Sequence, residues 1–167
     1  MASEESIQSN QYLTFVLDKE DFALEIMKVK EVLDYINITR VPRMPGYLCG
    51  VINLRGNVVP VIDLRLKLGM TKIQRTVDTC IVIMEIHIDG ELIQMGALTD
   101  AVKGVIELES HNIVSAPKLG TRLNTDFIRG MGKQDDQFII ILDIDRVLSV
   151  DDITVLQDVK DLTQNIE

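Results

Sequence analysis

The sequence repeats itself once, and this repeat constrains the fold more than any other feature. Segments of the first half recur in the second half in the same order, at offsets of 73 to 80 positions. Any two strand-rich segments look somewhat alike, but several matches in one order favour a true repeat. We predict two structural copies, about 12–75 and 76–148, each too small to be very stable alone. The matched segments are 47–51 with 127–131, 59–64 with 139–144, 29–32 with 102–105, and 37–42 with 112–117.

The hydrophobic pattern within each copy has the two-residue period of β-strands. Apolar residues alternate through 12–33 around a polar turn at 18–21, which predicts a hairpin that runs into a longer strand. Residues 81–97 alternate around Asp89-Gly90, a pair that suits a type I′ turn. We therefore expect about five strands in each copy and one core shared across their junction.

Composition supports an all-β fold. The chain has 21 Ile, 17 Val and 18 Leu but no Trp, and only 4% of its residues are aromatic. β-branched residues favour strands, so the core must be aliphatic and the fold rich in β-structure.

Helices are predicted at two places. Asp63 can cap a short turn that ends at Gly69. Ser149 and Asp152 resemble a capping box, and apolar residues at spacing three follow them, which predicts a helix over roughly 150–164 within a helical tail, 151–167. The polar, acidic start of the chain predicts a flexible segment over 1–10, unlike a signal peptide.

Charge and cysteine content exclude several classes of protein. The net charge of −9 and the absence of a basic cluster argue against nucleic-acid binding. No apolar run reaches the length of a membrane span, so direct membrane insertion is not expected. Cys49 and Cys80 lie in apolar, strand-like segments, so we expect buried thiols in a reducing cytoplasm.

The sequence contains no recognisable catalytic or cofactor site. His87 and His111 lack partners at metal-ligand spacing, so we expect solvent-facing imidazoles, no metal and no cofactor. The chain is therefore predicted not to be an enzyme. A small signalling hydrolase that uses Asp63 or His87 is the alternative from another class.

The two copies differ at one hairpin. The first copy has Asn53-Leu54-Arg55-Gly56 where the second has only a hydrophilic turn. Arg55 could present its guanidinium to a carboxylate on a partner, or it could form an intramolecular salt bridge, for example with Glu31. The residues alone leave both interpretations open.

Several strings together resemble the CheW-like domain family over about 11–150. The most specific are the Gly-Val-Ile-Asn-Leu-Arg-Gly string at 50–56 and the Pro-Val-Ile-Asp-Leu-Arg string at 60–65. The segments 29–32, 38–42 and 99–105 agree as well. The resemblance implies two small five-stranded SH3-like β-barrels that share a hydrophobic core, followed here by a C-terminal α-helix.

The resemblance also implies a function and two partners. It implies that this chain is a non-catalytic scaffold that couples the cytoplasmic tips of chemoreceptors (methyl-accepting chemotaxis proteins) to the regulatory domain of the histidine kinase CheA. The chain is thus expected to be cytoplasmic and recruited to receptor arrays. A scaffold of the same fold that couples a related kinase in a non-chemotaxis pathway is the alternative.

The family pattern implies two binding surfaces on this chain. The receptor tip would lie in a groove between the barrels, with apolar contacts from the valines and Leu54, and with Arg55 and Glu31 fixing the register by charge. The valines could equally belong to the core, and the two glycines could instead set backbone shape. The kinase would contact a second-copy loop around Val114 and Leu119. The receptor-binding candidates are Val29, Glu31, Gly50, Asn53, Leu54, Arg55, Gly56, Val102 and Val105.

Overall fold

The computed structural model describes residues 10–88, 90–115 and 126–164. The predicted flexible segment 1–10 lies outside these ranges except for Asn10. The strands are β1 (Gln11–Leu17), β2 (Glu20–Glu25), β3 (Val29–Asp34), β4 (Leu48–Leu54), β5 (Asn57–Asp63), β6 (Cys80–Ile88), β7 (Glu91–Thr99), β8 (Ala101–Glu107), β9 (Ile113–Val114), β10 (Ile128–Gln134) and β11 (Gln137–Leu142). The α-helices are α1 (Leu64–Lys67), α2 (Ile144–Val147) and α3 (Val150–Gln164).

The strands form two sheets, and each sheet takes strands from both halves of the sequence. One sheet, called barrel A, has the order β8-β1-β2-β11-β10-β9, and the other, called barrel B, has the order β3-β6-β7-β5-β4. If each strand is replaced by the strand that holds the same place in the other half of the sequence, the order of barrel A becomes the order of barrel B. The two-residue strand β9 is the exception. The all-β prediction with two small strand assemblies is therefore confirmed.

The predicted bounds of the barrels, 12–75 and 76–148, are wrong. The β1–β2 hairpin pairs with β8 and β11 of the second half, and the β6–β7 hairpin pairs with β3 and β5 of the first half. The predicted continuous strand to residue 33 is interrupted for the same reason. A 3₁₀ turn at Ile26–Lys28 ends the hairpin and redirects the chain, so that β3 joins the other sheet.

Both sheets curl so that their opposite edges approach each other. In barrel A, Leu108 follows edge strand β8, and its side chain lies so close to Gly132 of β10 that a Cβ there would be 2.6 Å from its Cδ1 atom. In barrel B, Glu31 on edge strand β3 bonds to Arg55 at the tip of the β4–β5 hairpin. Contacts between opposite edges require a closed sheet, which is the geometry of a small barrel.

One apolar core extends across both barrels, as the sequence predicts. It joins Phe15 and Phe22 of barrel A, whose rings stack at 6.0 Å between centroids, to fully buried residues of barrel B such as Ile62 and Ile83. A second, smaller cluster around Tyr12 and Ile141 fills the interior of barrel A. The cysteines differ from the prediction, because Cys49 and Cys80 are only half-buried.

The C-terminal helix α3 begins as the sequence predicts, and the structure shows that it packs on the shared core. The Ser149 N–H donates to the Asp152 carboxylate at 2.9 Å, and the Asp152 N–H donates to Ser149 Oγ at 3.1 Å, which completes the capping box. Leu156 and Val159 are buried in the shared core. Asp152 also pairs with Lys67 of α1, so charge ties the helix start to barrel B.

Asp100 connects elements of both barrels. Its Oδ2 atom accepts from the Asp18 N–H at 2.6 Å and from Arg65 Nε at 2.8 Å. Asp18 lies in the β1–β2 turn of barrel A, and Arg65 lies in α1 after β5 of barrel B. The sequence gives no reason to single out Asp100, because its partners are distant along the chain.

Gly50 supports barrel B through its backbone. Its φ of 144° lies in the region that favours glycine, and a Cβ there would collide with the Thr39 carbonyl of the bridge between Thr39 and Val51. We expect Gly50→Ala to lower the free energy of unfolding by more than about 2 kcal/mol. Gly46→Ala is the matched control, because a Cβ at Gly46 meets no atom within 4 Å. Equal urea-unfolding midpoints for the two variants would contradict this role.

The ion pair of Asp152 makes the docking of α3 depend on pH. Burial alone would raise the pKa of Asp152, but hydrogen bonds from Lys67 and Ser149 hold that pKa below its usual value. A lowered pKa in the folded state means that the stabilisation is present above the unfolded-state pKa and is lost as pH falls through the folded-state value. We expect Asp152→Asn to cost about 1–2 kcal/mol at pH 7 and less below about pH 4.

Urea unfolding at pH 7 and pH 3 measures this difference. Asp158→Asn is the control, since Asp158 is an exposed carboxylate of the same helix. An Asp152→Asn penalty that stays constant across this range would contradict the assignment.

Candidate partner-binding surface

Arg55 occupies the tip of a tight hairpin turn. Arg55 and Gly56 have φ values of 50° and 86°, the positive values that a type I′ turn requires at both central residues. Asn53 stabilises this turn, because its Oδ1 accepts the Gly56 N–H at 2.9 Å. The roles of Asn53 and Gly56 in the isolated protein are therefore to shape the turn that presents Arg55.

The salt bridge between Arg55 and Glu31 is present. The Arg55 Nη2 atom lies 2.7 Å from Glu31 Oε2, and this hydrogen bond with its charge raises the pKa of the guanidinium. The Arg55 side chain nevertheless remains 65% exposed, which keeps much of the guanidinium open to an additional partner. Glu31 Oε1 is buried without a hydrogen-bond partner among the described residues.

The three valines predicted to contact the receptor differ in their exposure. Val29 and Val102 are half-buried and pack against the shared core, whereas Val105 is 52% exposed on β8. Met27 and Val32, which sequence reasoning did not select, are also exposed beside or on β3. Exposure on an edge strand could not be predicted without knowing that β3 lies at an edge.

Two of the predicted contact residues have structural roles in the isolated protein. Leu54 is only 7% exposed and belongs to the shared core, so little of its side chain is available to a partner. The alternating strand pattern places it on the inner face next to the exposed Asn53. Gly50 is buried at its bridge to Thr39, which confirms the interpretation that it sets backbone shape.

The edge strands β3 and β8 approach each other at one end. Asp34, the last residue of β3, pairs with Cys80 in the ladder between β3 and β6. Burial raises the pKa of the Cys80 thiol, and a backbone hydrogen bond from Val102 at the start of β8 opposes that rise. Val102 therefore lies beside the end of β3. We call the candidate receptor contacts on these two edge strands, Val29, Glu31, Val102 and Val105, together with Arg55, which bonds to Glu31, the inter-barrel groove.

Val114, the candidate kinase contact, is 45% exposed on β9. It pairs with Met131 of β10, and Met131 pairs with Ile140 of β11, so the three share one face of barrel A. Phe138, two positions before Ile140, extends this face and is 52% exposed. Phe138 could not be selected from the sequence, because it fits the strand pattern in the same way as its neighbours. The other candidate, Leu119, lies outside the described residues.

The residues considered for catalysis are not assembled into a site. His87 and His111 are exposed, as the sequence predicts. The Asp63 carboxylate is buried and accepts the N–H groups of Leu66 and Ile73 at 3.2 Å and 3.0 Å. Asp63 therefore caps α1 and holds the following segment. The described ranges contain no group of three or more His, Cys, Asp or Glu side chains that could hold a metal ion.

Comparison with known proteins identifies the family. A family model described as "CheW-like domain" matches residues 11–152. The chain belongs to the CheW-like domain family. The resemblance seen in the sequence is thereby confirmed, and the matched range includes the whole inter-barrel groove and Val114.

The CheW-like relatives match this chain over most of their length. A chemotaxis protein CheW from Bacillus subtilis is 35% identical over 81% of this chain and 85% of its own length. The CheW from Klebsiella aerogenes is 30% identical, over 89% of this chain and 87% of its own. The crystal structure of the scaffolding protein TtCheW from Thermoanaerobacter tengcongensis is similar as well, with a TM-score of 0.75, 35% identity, and coverage of 86% of this chain and 90% of that one.

A membrane-crossing helix is absent from the described ranges, where the longest helix is the 15-residue α3.

Proposed function

We propose that this CheW-like protein is a non-catalytic scaffold of bacterial chemotaxis that couples chemoreceptor tips to the regulatory domain of the histidine kinase CheA. The observation that carries the proposal is the match to the family over residues 11–152. The named relatives are chemotaxis proteins, and the similar solved structure is a scaffolding protein. The protein would act in the cytoplasm, at arrays of membrane-bound receptors.

The inter-barrel groove is the proposed site for the receptor tip. Val105 offers exposed apolar area, and Val29 and Val102 offer the exposed parts of side chains anchored in the core. An amphipathic helical tip could lay its apolar face on these valines while Arg55 pairs with an acidic side chain at the rim. Because Arg55 is already oriented by Glu31, less side-chain entropy is lost when it binds.

Glu31 adds a second reason for a partner at this site. A buried carboxylate oxygen without a hydrogen bond costs free energy, and Glu31 Oε1 is such an atom among the described residues. A donor supplied by a docked helix, or by an ordered water, would remove that cost. A docked helix that supplied this donor would gain a hydrogen bond that Glu31 Oε1 does not make within the described residues.

The kinase would bind a different part of barrel A, around Val114. The exposed apolar side chains of Val114 and Phe138 share one face of the sheet, which suits a protein contact of modest size. Simultaneous binding at the groove and at this face would raise the effective concentration of kinase next to receptor. Receptor motion could then bias the kinase without any chemistry performed by the scaffold.

Reversal of the charge at Arg55 tests the receptor site. We expect Arg55→Glu to abolish binding to a purified receptor tip while changing the free energy of unfolding by about 0.5 kcal/mol or less, because the side chain is largely exposed. Arg146→Glu is a matched control, since the Arg146 side chain is 66% exposed and also paired with an aspartate. Isothermal titration measures binding, and urea unfolding measures stability. Normal receptor binding by Arg55→Glu would overturn the site.

The double variant Glu31→Arg/Arg55→Glu separates the two interpretations of Arg55. It restores an intramolecular pair with reversed polarity. If Arg55 contacts the receptor directly, the double variant stays defective. Recovery of binding would instead mean that the pair acts only by holding the hairpin in place.

Substitution of Val114 tests the kinase face independently. We expect Val114→Asp to weaken binding to the isolated kinase regulatory domain at least about tenfold, because a charge would be buried in an apolar contact, and to leave receptor binding unchanged. Leu92→Asp is the control, since Leu92 is 50% exposed on β7 of barrel B. A loss of kinase binding that is equal in both variants would contradict the assignment.

A further inference from the structure

Barrel B contains a cavity of about 470 Å³ that the proposed scaffold function does not use. It lies beside the segment between β3 and β4, with α1 and the segment after α1 on its other sides. Its apolar lining includes Ile38, Leu48 and Leu98. Its volume falls within the range of about 300–1,000 Å³ that is typical of small-molecule sites.

Three cationic side chains line this cavity in a chain whose net charge is −9. They are Arg40, Lys72 and Arg75, and none of them forms an ion pair with another described residue. In contrast, Arg55 and Arg65 are paired with carboxylates. Unpaired cations around one concavity concentrate positive potential there.

Two further observations concern the positions of the three cationic side chains at the cavity. Arg75 stacks over the Tyr35 ring, with its guanidinium carbon 3.9 Å from the ring centroid, so its position is held. Burial and the Asp63 charge raise the pKa of Cys49 to about 12, whereas the charges of Lys72 and Arg40 act to lower it. Lys72 and Arg40 are therefore close enough to influence the thiol that lines the cavity.

Asp63 is the acidic residue of the lining, and its charge is already accommodated. The carboxylate is 1% exposed and accepts two backbone N–H groups, from Leu66 and Ile73. Its negative charge offsets one cation of the lining, which leaves an excess of positive charge. An anion would thus be held by the cationic side chains and kept away from the Asp63 oxygens.

We propose that this cavity binds a small organic anion, whose acidic group pairs with Arg40, Lys72 and Arg75 while an apolar body contacts Ile38, Leu48 and Leu98. Guanidinium groups suit carboxylate, sulfonate and phosphate alike, because each presents two oxygens to a fork of donors. The apolar wall sets the second requirement, since an inorganic anion would leave it uncovered. Binding weakens as ionic strength rises.

The fluorescent dye 8-anilinonaphthalene-1-sulfonate is a suitable probe, because it joins an aromatic body to a sulfonate. We expect the folded full chain to bind one dye per molecule. The double variant Arg40→Gln/Lys72→Gln should raise the Kd of the dye at least about tenfold. The control is Lys19→Gln/Lys133→Gln, which removes the same charge from two exposed lysines outside the cavity and should change Kd by less than about twofold.

Competition separates the contributions of charge and apolar body. We expect 1-naphthalenesulfonate to displace the dye at concentrations about tenfold lower than 1-naphthol or inorganic phosphate requires. Amide chemical-shift changes should be largest at Cys49 and Ile73. The proposal is overturned if the folded protein does not bind the dye, if both double variants bind it equally, if 1-naphthol competes as well as the sulfonate, or if the shifts centre on Phe138 and Val114.

Discussion

Each half of this protein contributes its first hairpin to the barrel of the other half, and the rest of the structure depends on that exchange. The β1–β2 hairpin closes a sheet with β8 and β11, while the β6–β7 hairpin closes one with β3 and β5. Neither half contains a complete sheet, so neither can bury its apolar side chains alone. The shared core, which joins Phe15 to Ile83, is the energetic result of this arrangement.

The same exchange makes β3 and β8 the edge strands from which the inter-barrel groove is built. Edge strands invite unwanted pairing, and exposed lysines discourage it. Lys30 on β3 and Lys103 on β8 occupy equivalent positions of the repeat. Each forms a salt bridge within its own sheet, Lys30 with Glu85 of the neighbouring strand β6 and Lys103 with Asp21 of β2. The groove is thus open to a specific partner yet protected from strand addition by another chain.

Local signals in the sequence were sufficient for the fold class, the repeat, the short helix after Asp63 and the range of α3, because strand period and capping chemistry depend on near neighbours. These signals were not sufficient to divide the strands between the two barrels, since periodicity carries no information about which hairpin joins which sheet. The same limit of sequence-based prediction applies to the candidate site. A hairpin beside Arg55, and its pairing with Glu31 as one of two open interpretations, could be predicted from residue chemistry. The burial of Leu54 and the exposure of Phe138 could not, because they depend on sheet closure.

The exchanged hairpins have a consequence for synthesis on the ribosome. Thr14 of β1 bonds to Gly104 of β8, 90 positions later in the chain, and β2 pairs with β11 near the end of the fold. At a translation rate of about 5–20 residues per second, the first hairpin waits roughly 5–20 seconds for its partner strands. During this interval its apolar face, including Phe15 and Phe22, has no native surface to cover it. The nascent chain is therefore most exposed to aggregation, and most dependent on chaperones, at its first-made end.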